Sequence, residues 1–115
     1  MTRLNSNLLR GTLDLLVLRA LVGGARHGYG ILEWIERAVA PALLVEEGTL
    51  YPALHRLEDE GLIRASWGAS ENNRKAKFYA LTKRGEKRVA ADAAAWRAYA
   101  EKVLRALDGD AGASA

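Results

Sequence analysis

Residues 48–85 constrain the fold more than any other part of the chain, because they combine a helix, a hairpin and the start of another helix. After the helical pattern, strand character appears at residues 62–67 and 76–81, joined by a polar, turn-rich loop over residues 68–75. Thr82 then has the side chain of a helix N-cap. A helix followed by a hairpin with a cationic tip is the order that a winged helix-turn-helix domain requires. DNA binding is therefore the leading hypothesis.

The helix within this segment is expected to begin near Thr49, a good N-cap residue, and to end at Gly61. Pro52 would then lie in the first turn, where its missing N–H has no partner within the helix. Leucines at helical spacing are expected to face the core, at Leu50, Leu54 and Leu57. The other faces present side chains that are available outside the core, namely Tyr51, Pro52, His55 and Arg56.

Two further helices are expected upstream, over residues 7–22 and about 30–40. Residues 27–30 form a turn between them, Pro41 stops the second helix, and residues 42–48 form a connector. The first helix has a broad apolar surface that includes Leu8, Leu9, Leu13, Leu15, Leu16, Leu18 and Ala20. The second has one apolar face, made by Ile31, Trp34, Ile35 and Ala38.

A long final helix is expected over residues 83–108, ahead of a small, polar tail at residues 109–115 that is expected to fray. Its apolar positions alternate in spacings of four and three, at Val89, Ala93, Trp96, Ala100, Val103 and Leu107. A winged-helix core over residues 1–82 has little room for this helix, so pairing with a second copy is expected, with Leu9 and Leu13 in the same interface. The alternative is that the helix folds back on its own domain. The fold class is then mainly α with a small β-hairpin (α+β): a winged helix-turn-helix domain and a C-terminal dimerisation helix.

Composition bounds the class of protein. The chain has 115 residues, half of them hydrophobic, a formal net charge of +3 and no cysteine. This indicates one globular domain and excludes disulfides, thiolate metal sites and cysteine nucleophiles. The two histidines lie on separate predicted elements, and no catalytic triad, metal cluster or phosphate loop is present in the sequence. We therefore expect a cytoplasmic protein that is not an enzyme, has no cofactor or metal and does not enter a membrane.

Four segments together resemble the PadR-like transcriptional regulators, a family of bacterial winged-helix dimers. The segments are Leu9–Asp14, His27–Ile31, Glu46–Glu58 and Ser70–Tyr79, and with the final helix the resemblance covers about residues 8–107. The length is similar to that of the short-form subgroup. The resemblance implies a homodimeric repressor of a roughly palindromic operator. It also implies that Tyr29 meets backbone phosphate.

Candidate DNA-binding residues come from the third helix, the hairpin tip and the turn before the second helix. Helix N-termini and exposed cations suit phosphate, and polar side chains on a short helix suit base edges in the major groove. The candidates are Tyr29, Thr49, Tyr51, Pro52, His55, Arg56, Asn72, Asn73, Arg74, Lys75 and Lys77. Each has a structural alternative. Tyr51 would cover the core, Tyr29 would anchor its turn through a buried hydroxyl, and the charged residues would be solvated.

Trp96 lies in the middle of the apolar seam and admits two interpretations. In multidrug-binding relatives, aromatic side chains at the subunit interface stack on flat ligands, so the resemblance implies a small hydrophobic effector there. Alternatively, Trp96 packs among alanines. For the whole chain, the competing hypothesis is a winged-helix protein-interaction module without specific DNA binding. The cations of the hairpin, together with Tyr51 and His55, argue against that hypothesis.

Overall fold

The computed structural model describes the backbone of residues 6–39 and 47–109 and the side chains of residues 11–39 and 48–109. Four helices and a three-stranded antiparallel sheet make up this part of the chain. In chain order they are α1 (Ser6–Ala20), β1 (Arg26–His27), α2 (Gly28–Val39), α3 (Glu47–Asp59), β2 (Ile63–Ala69), β3 (Lys75–Leu81) and α4 (Lys83–Leu107). The expected α+β class is confirmed.

The core is built where α1, α2 and α3 meet. The three leucines expected to face inward from α3 are buried, as are Ile31 and Ile35 of α2. From α1 the core takes Leu13, Val17, Leu18 and Ala20. Burying one such aliphatic side chain stabilises the fold by about 1.5–3 kcal/mol, so this apolar cluster holds the three helices in place.

The sheet contains a strand that the sequence pattern did not predict. β1 is only two residues long and pairs with β3, placing Arg26 opposite Tyr79 and His27 opposite Phe78. The expected turn at residues 27–30 is wrong in this respect, because His27 ends a strand and α2 begins directly at Gly28. The strand order is β1-β3-β2, so the hairpin is joined to the helical core along β3.

The hairpin itself is confirmed, with a shorter tip than expected. β2 and β3 extend to Ala69 and from Lys75, which leaves residues 70–74 as the turn. The backbone N–H of Ser70 donates to the Arg74 carbonyl at 2.8 Å, and Asn73 adopts a positive φ of 59°. Asparagine tolerates this left-handed conformation better than most residues.

The start of α3 differs from the sequence expectation. The helix begins at Glu47, so Thr49 lies in its first turn and is not the N-cap. Pro52 lies inside the helix, beyond the first turn. The expected connector falls mostly outside the described residues, which resume at Glu47.

The junction between the hairpin and α4 is closely packed. Thr82 caps α4 as expected: its Oγ1 accepts from the Gly85 N–H at 3.0 Å and donates to the Gly61 carbonyl at 2.7 Å. The Thr82 N–H donates to the Leu62 carbonyl at 3.1 Å. A Cβ added to Gly85 would overlap that same carbonyl oxygen, so only glycine fits here.

The two ends of α4 have different surroundings. Near its start, α4 packs on α1, and Val89 is buried in the core of the chain. Farther along, apolar and aromatic side chains are exposed, namely Trp96, Tyr99, Val103, Leu104 and Leu107. The alternative in which α4 folds back on its own domain therefore describes only part of the helix.

Candidate nucleic-acid interface

An open cleft of about 770 Å³ lies between the start of α2, the outer face of α3 and the hairpin. Residues on its walls that the sequence nominated for DNA contact are Tyr29, Tyr51, His55, Asn72 and Lys77. These residues span nearly 50 positions of sequence, and the fold gathers them around one cavity. The cleft is the place where a face of α3 and the hairpin meet side by side.

The exposed face of α3 carries Tyr51 and His55, which are one helical turn apart. Thr49 and Pro52 are also exposed on this helix. The Tyr51 ring lies across the start of α2. A Cβ added to Gly28 would come within 2.8 Å of the Tyr51 hydroxyl oxygen, a distance that real Cβ atoms do not show. Tyr51 is thus held against Gly28 while 47% of its surface stays exposed. The structural alternative, in which Tyr51 covers the core, accounts for the contact of its ring with the buried Gly28 but not for the exposed half of the side chain.

His27 holds the start of α2 against the hairpin. Its Nδ1 accepts the Gly30 N–H at 2.9 Å, which satisfies one of the free donors at the beginning of the helix. Its ring meets Phe78 of β3 edge to face, with 5.5 Å between centroids. Tyr29, two residues farther, is exposed, so its hydroxyl is not the buried anchor that one alternative required. In the sequence, only the position of His27 ahead of Gly28 and Gly30 points to this capping role.

A cluster of Glu58, Lys77 and Tyr79 closes the inner end of the cleft. The Lys77 ammonium lies 3.9 Å from the Glu58 carboxylate and 5.7 Å from the centroid of the Tyr79 ring. Burial raises the pKa of Tyr79, and the negative charge of Glu58 and the neighbouring Tyr51 raise it further. Tyr79 therefore keeps its proton at neutral pH, and it lies on the wall of the cleft. Glu58 was not among the nominated residues.

The end of the hairpin is solvent-exposed and carries two further nominated cations, Arg74 and Lys75. Asn72, Asn73, Arg74 and Lys75 are all exposed. The Lys75 ammonium lies 5.0 Å from the centroid of the Trp67 ring, an arrangement typical of a cation–π contact. Trp67 itself is 64% exposed.

Arg56 differs from the other nominated residues of α3. One of its terminal guanidinium nitrogens donates to the Asp14 carboxylate of α1 at 2.8 Å, in a half-buried ion pair. Its Nε is buried and has no hydrogen-bond partner among the described residues. The side chain is turned toward α1, and Arg56 is not part of the cleft wall.

The nominated interface residues of α4 and α1 differ in how far the chain itself buries them. Leu13 and Val89 are only 2% and 6% exposed within the chain, so the chain's own core already covers most of their surface, and their place in an interface between copies stays a prediction. Ala93 and Ala100 are half-buried. Trp96, Val103 and Leu107 remain exposed. Leu9 lies in α1, and its side chain falls outside the described part.

A groove of about 430 Å³ runs between α1 and α4 beside Trp96. Gly11, Thr12 and Leu15 line it on α1, and Trp96 and Tyr99 line it on α4.

Across the described residues, no helix is both long and apolar enough to cross a bilayer.

Comparison with known proteins agrees with this architecture. The model of the transcriptional regulator PadR-like family matches residues 17–91. An uncharacterized protein from Lysinibacillus sphaericus is 33% identical over 81 residues, which are 70% of this chain and 74% of that protein.

Solved structures of transcriptional regulators share the fold. A PadR-like transcriptional regulator from Bacillus cereus superposes with a TM-score of 0.79 at 26% identity, over 90% of this chain and 98% of that one. A transcriptional regulator from Streptococcus gives a TM-score of 0.76 at 30% identity, over 87% and 96% of the two chains.

Proposed function

We propose, since the chain belongs to the transcriptional regulator PadR-like family, that it is a homodimeric repressor that binds a roughly palindromic operator. The single observation that carries the proposal is the cleft, because five of the residues nominated for DNA contact line it together. Its domain organisation would be a DNA-binding unit over residues 1–82 and a dimerisation helix over residues 83–108.

In this proposal α3 enters the major groove with its exposed face toward the bases. Tyr51 and His55 would contact base edges, and Thr49 and Pro52 would approach the backbone near the start of the helix. The placement of the Tyr51 ring against Gly28 supports this role, because a ring with restricted motion loses little entropy on binding.

The hairpin would contact the flanking backbone or minor groove, and Tyr29, which lines the same cleft at the start of α2, would meet phosphate. Arg74 and Lys75 are exposed cations at the tip, and Asn72 and Asn73 are exposed hydrogen-bonding groups beside them. Lys77 lies deeper, where Glu58 partly offsets its charge. Phosphate contacts of this kind position a protein on DNA and make its affinity depend on salt.

Dimerisation would use the exposed part of α4. Trp96, Val103 and Leu107 present apolar surface that a single chain does not cover. Ala93 and Ala100 lie on the same seam and would let two helices approach closely. A two-fold dimer would hold the two α3 helices about 34–36 Å apart, the separation of successive major grooves on one face of DNA.

The groove beside Trp96 is the proposed site for a small hydrophobic effector. Trp96 and Tyr99 are aromatic side chains on its wall, and both are exposed in the single chain. An effector there would release DNA only if it favoured a dimer geometry with the wrong spacing of the α3 helices. The regulator would act in the cytoplasm and need no cofactor.

Fluorescence anisotropy tests the proposal. The purified chain is titrated against DNA from upstream of its own gene and against a scrambled duplex, at two salt concentrations. Binding to the upstream DNA that persists at the higher salt, with the scrambled duplex much weaker, is expected. Weak binding to both that salt abolishes would point to a general cationic surface and favour the protein-interaction module instead.

A further inference from the structure

We propose that Arg56 is a positioning residue that orients α3 for DNA through its ion pair with Asp14. The inference rests on the proposed DNA-binding function and assigns Arg56 a different role from Tyr51 and His55 on the same helix. In this role Arg56 does not touch the DNA. It fixes α3 against α1 and thereby against α4.

The geometry of the pair carries this inference. Asp14 and Arg56 are 42 residues apart in sequence, and their contact is a direct hydrogen bond of 2.8 Å between opposite charges. Their side chains are 26% and 29% exposed, so solvent screens them only in part. The buried Nε shows that the base of the guanidinium is also turned away from solvent. Swinging Arg56 out to DNA would separate a half-buried carboxylate from its cation, which is unfavourable.

The pair supplies a constraint that the apolar core does not. Leu50, Leu54 and Leu57 bury one face of α3, but apolar contacts have no preferred direction and tolerate small rotations of a helix. A charge-assisted hydrogen bond between fixed positions on two helices has a preferred direction and length. The Asp14–Arg56 pair therefore sets the rotation of α3 about its own axis, which decides where Tyr51 and His55 point.

The pair also links the two functional ends of the chain. α1 packs against both α3 and α4. Asp14 lies on α1 between Thr12 and Leu15, which line the groove beside Trp96. Any change in how α1 sits on α4 therefore moves the carboxylate that holds α3.

The positioning role predicts that removing the negative charge of Asp14 weakens operator binding, which is the opposite of the usual effect. Removing an acidic residue from a DNA-binding protein ordinarily strengthens binding, because it removes repulsion from phosphate. If Asp14 orients α3 through Arg56, the neutral variant Asp14→Asn binds its operator more weakly. The same variant does not bind scrambled DNA more weakly, since non-specific contacts do not need a fixed orientation of α3 and one negative charge that repels phosphate is lost.

The experiment compares Asp14→Asn, Arg56→Gln and the double variant with the wild type by anisotropy, on upstream and scrambled duplexes over a range of salt. Glu36→Gln is the matched control, because Glu36 is an exposed carboxylate on α2. Each single variant is expected to raise the operator Kd by about tenfold, and the double variant should be no worse than either single one. The dependence of log Kd on log salt should stay as in the wild type. Arg56→Lys, which keeps the charge, should recover part of the loss.

Two readouts separate positioning from loss of structure. Stoichiometric titration gives the active fraction, which misfolding would lower and misorientation would not. Because the chain has no cysteine, Asp59→Cys at the exposed end of α3 can carry a single spin label. The distribution of distances between the two labels in the dimer should be broader in the Asp14→Asn variant than in the wild type.

Direct contact between Arg56 and DNA gives the opposite pattern. Arg56→Gln would then lower the salt slope by about 0.9 while Asp14→Asn binds as well as the wild type or better, and the proposal would be overturned. A wild type that does not discriminate between the duplexes would refute specific DNA binding. In that case unchanged label distances in Asp14→Asn would refute positioning, and broadened ones would support it.

Discussion

The side chains around the cleft and those along the second half of α4 differ in whether contacts within one chain hold them. Around the cleft, side chains are held by contacts within one chain: His27 caps α2, Tyr51 lies against Gly28, and Lys77 lies beside Glu58. Along the second half of α4, the apolar side chains are instead exposed. The candidate DNA surface is therefore held together within one chain, whereas the far part of α4 has apolar surface that the single chain leaves exposed.

The largest effect is expected at the junction of these two regions. Gly85→Ala should lower the free energy of unfolding by roughly 3 kcal/mol or more, because the added Cβ overlaps the Leu62 carbonyl oxygen. Urea unfolding followed by circular dichroism measures this. Gly23→Ala is the control, since a Cβ there meets no atom within 4 Å. Equal stability of the two variants would show that α4 does not start as closely against β2 as described.

The next effect tests whether α4 needs a partner. Val103→Asp should weaken the dimer by about 2 kcal/mol or more, because it places a charge in an apolar interface. The fold of each chain should be unchanged, since Val103 is exposed in the monomer. Analytical ultracentrifugation at several concentrations measures the shift, with Lys102→Asp as the neighbouring control on the same helix. An unchanged mass for Val103→Asp would remove the second half of α4 from the interface.

A smaller effect is expected within the cleft. Tyr51→Ala should weaken operator binding by about 1–3 kcal/mol without changing the dimer mass. Tyr51→Phe keeps the ring against Gly28 and loses only the hydroxyl, so the difference between the two variants separates placement of the ring from hydrogen bonding. Anisotropy with the operator duplex measures both. Wild-type affinity in Tyr51→Ala would show that this face of α3 does not meet DNA.

The smallest effect is expected at the hairpin tip. Arg74→Ala should weaken binding to operator and scrambled DNA alike and reduce the salt slope by about 0.9, as expected for one lost phosphate contact. Salt titrations of both duplexes measure it, and Arg64→Ala is a control, because Arg64 is an exposed arginine on β2 outside the tip. If the two variants give the same slope, Arg74 has no special contact.

The sequence predicted the parts of the fold that depend on local pattern. The leucine spacing gave the buried face of α3, and Thr82 gave the start of α4. β1 could not be predicted in this way, because a two-residue strand has no alternation and exists only through its pairing with β3. The start of α3 was misplaced because Thr49 is a good capping residue, and local preference alone does not decide where a helix begins.

Long-range pairing explains the other differences. Nothing near Arg56 in sequence indicates Asp14, and nothing near Lys77 indicates Glu58, since both partners come from distant elements. The seam of α4 shows a further limit. Its apolar spacing is continuous, yet Val89 is buried by the chain itself while Leu107 is exposed. Periodicity shows that a face must be covered and does not show by which chain.

Because Gly85 lies directly against the Leu62 carbonyl, the start of α4 cannot slide along the hairpin and acts as the pivot, or root, of the helix. Its 25 residues extend about 37 Å from the hairpin. A tilt of about 10° at the root would therefore move the far end by roughly 6 Å, more than one helical turn. Small adjustments beside β2 are thus magnified into large displacements at the far end, and motion imposed there is reduced on its way back to the hairpin.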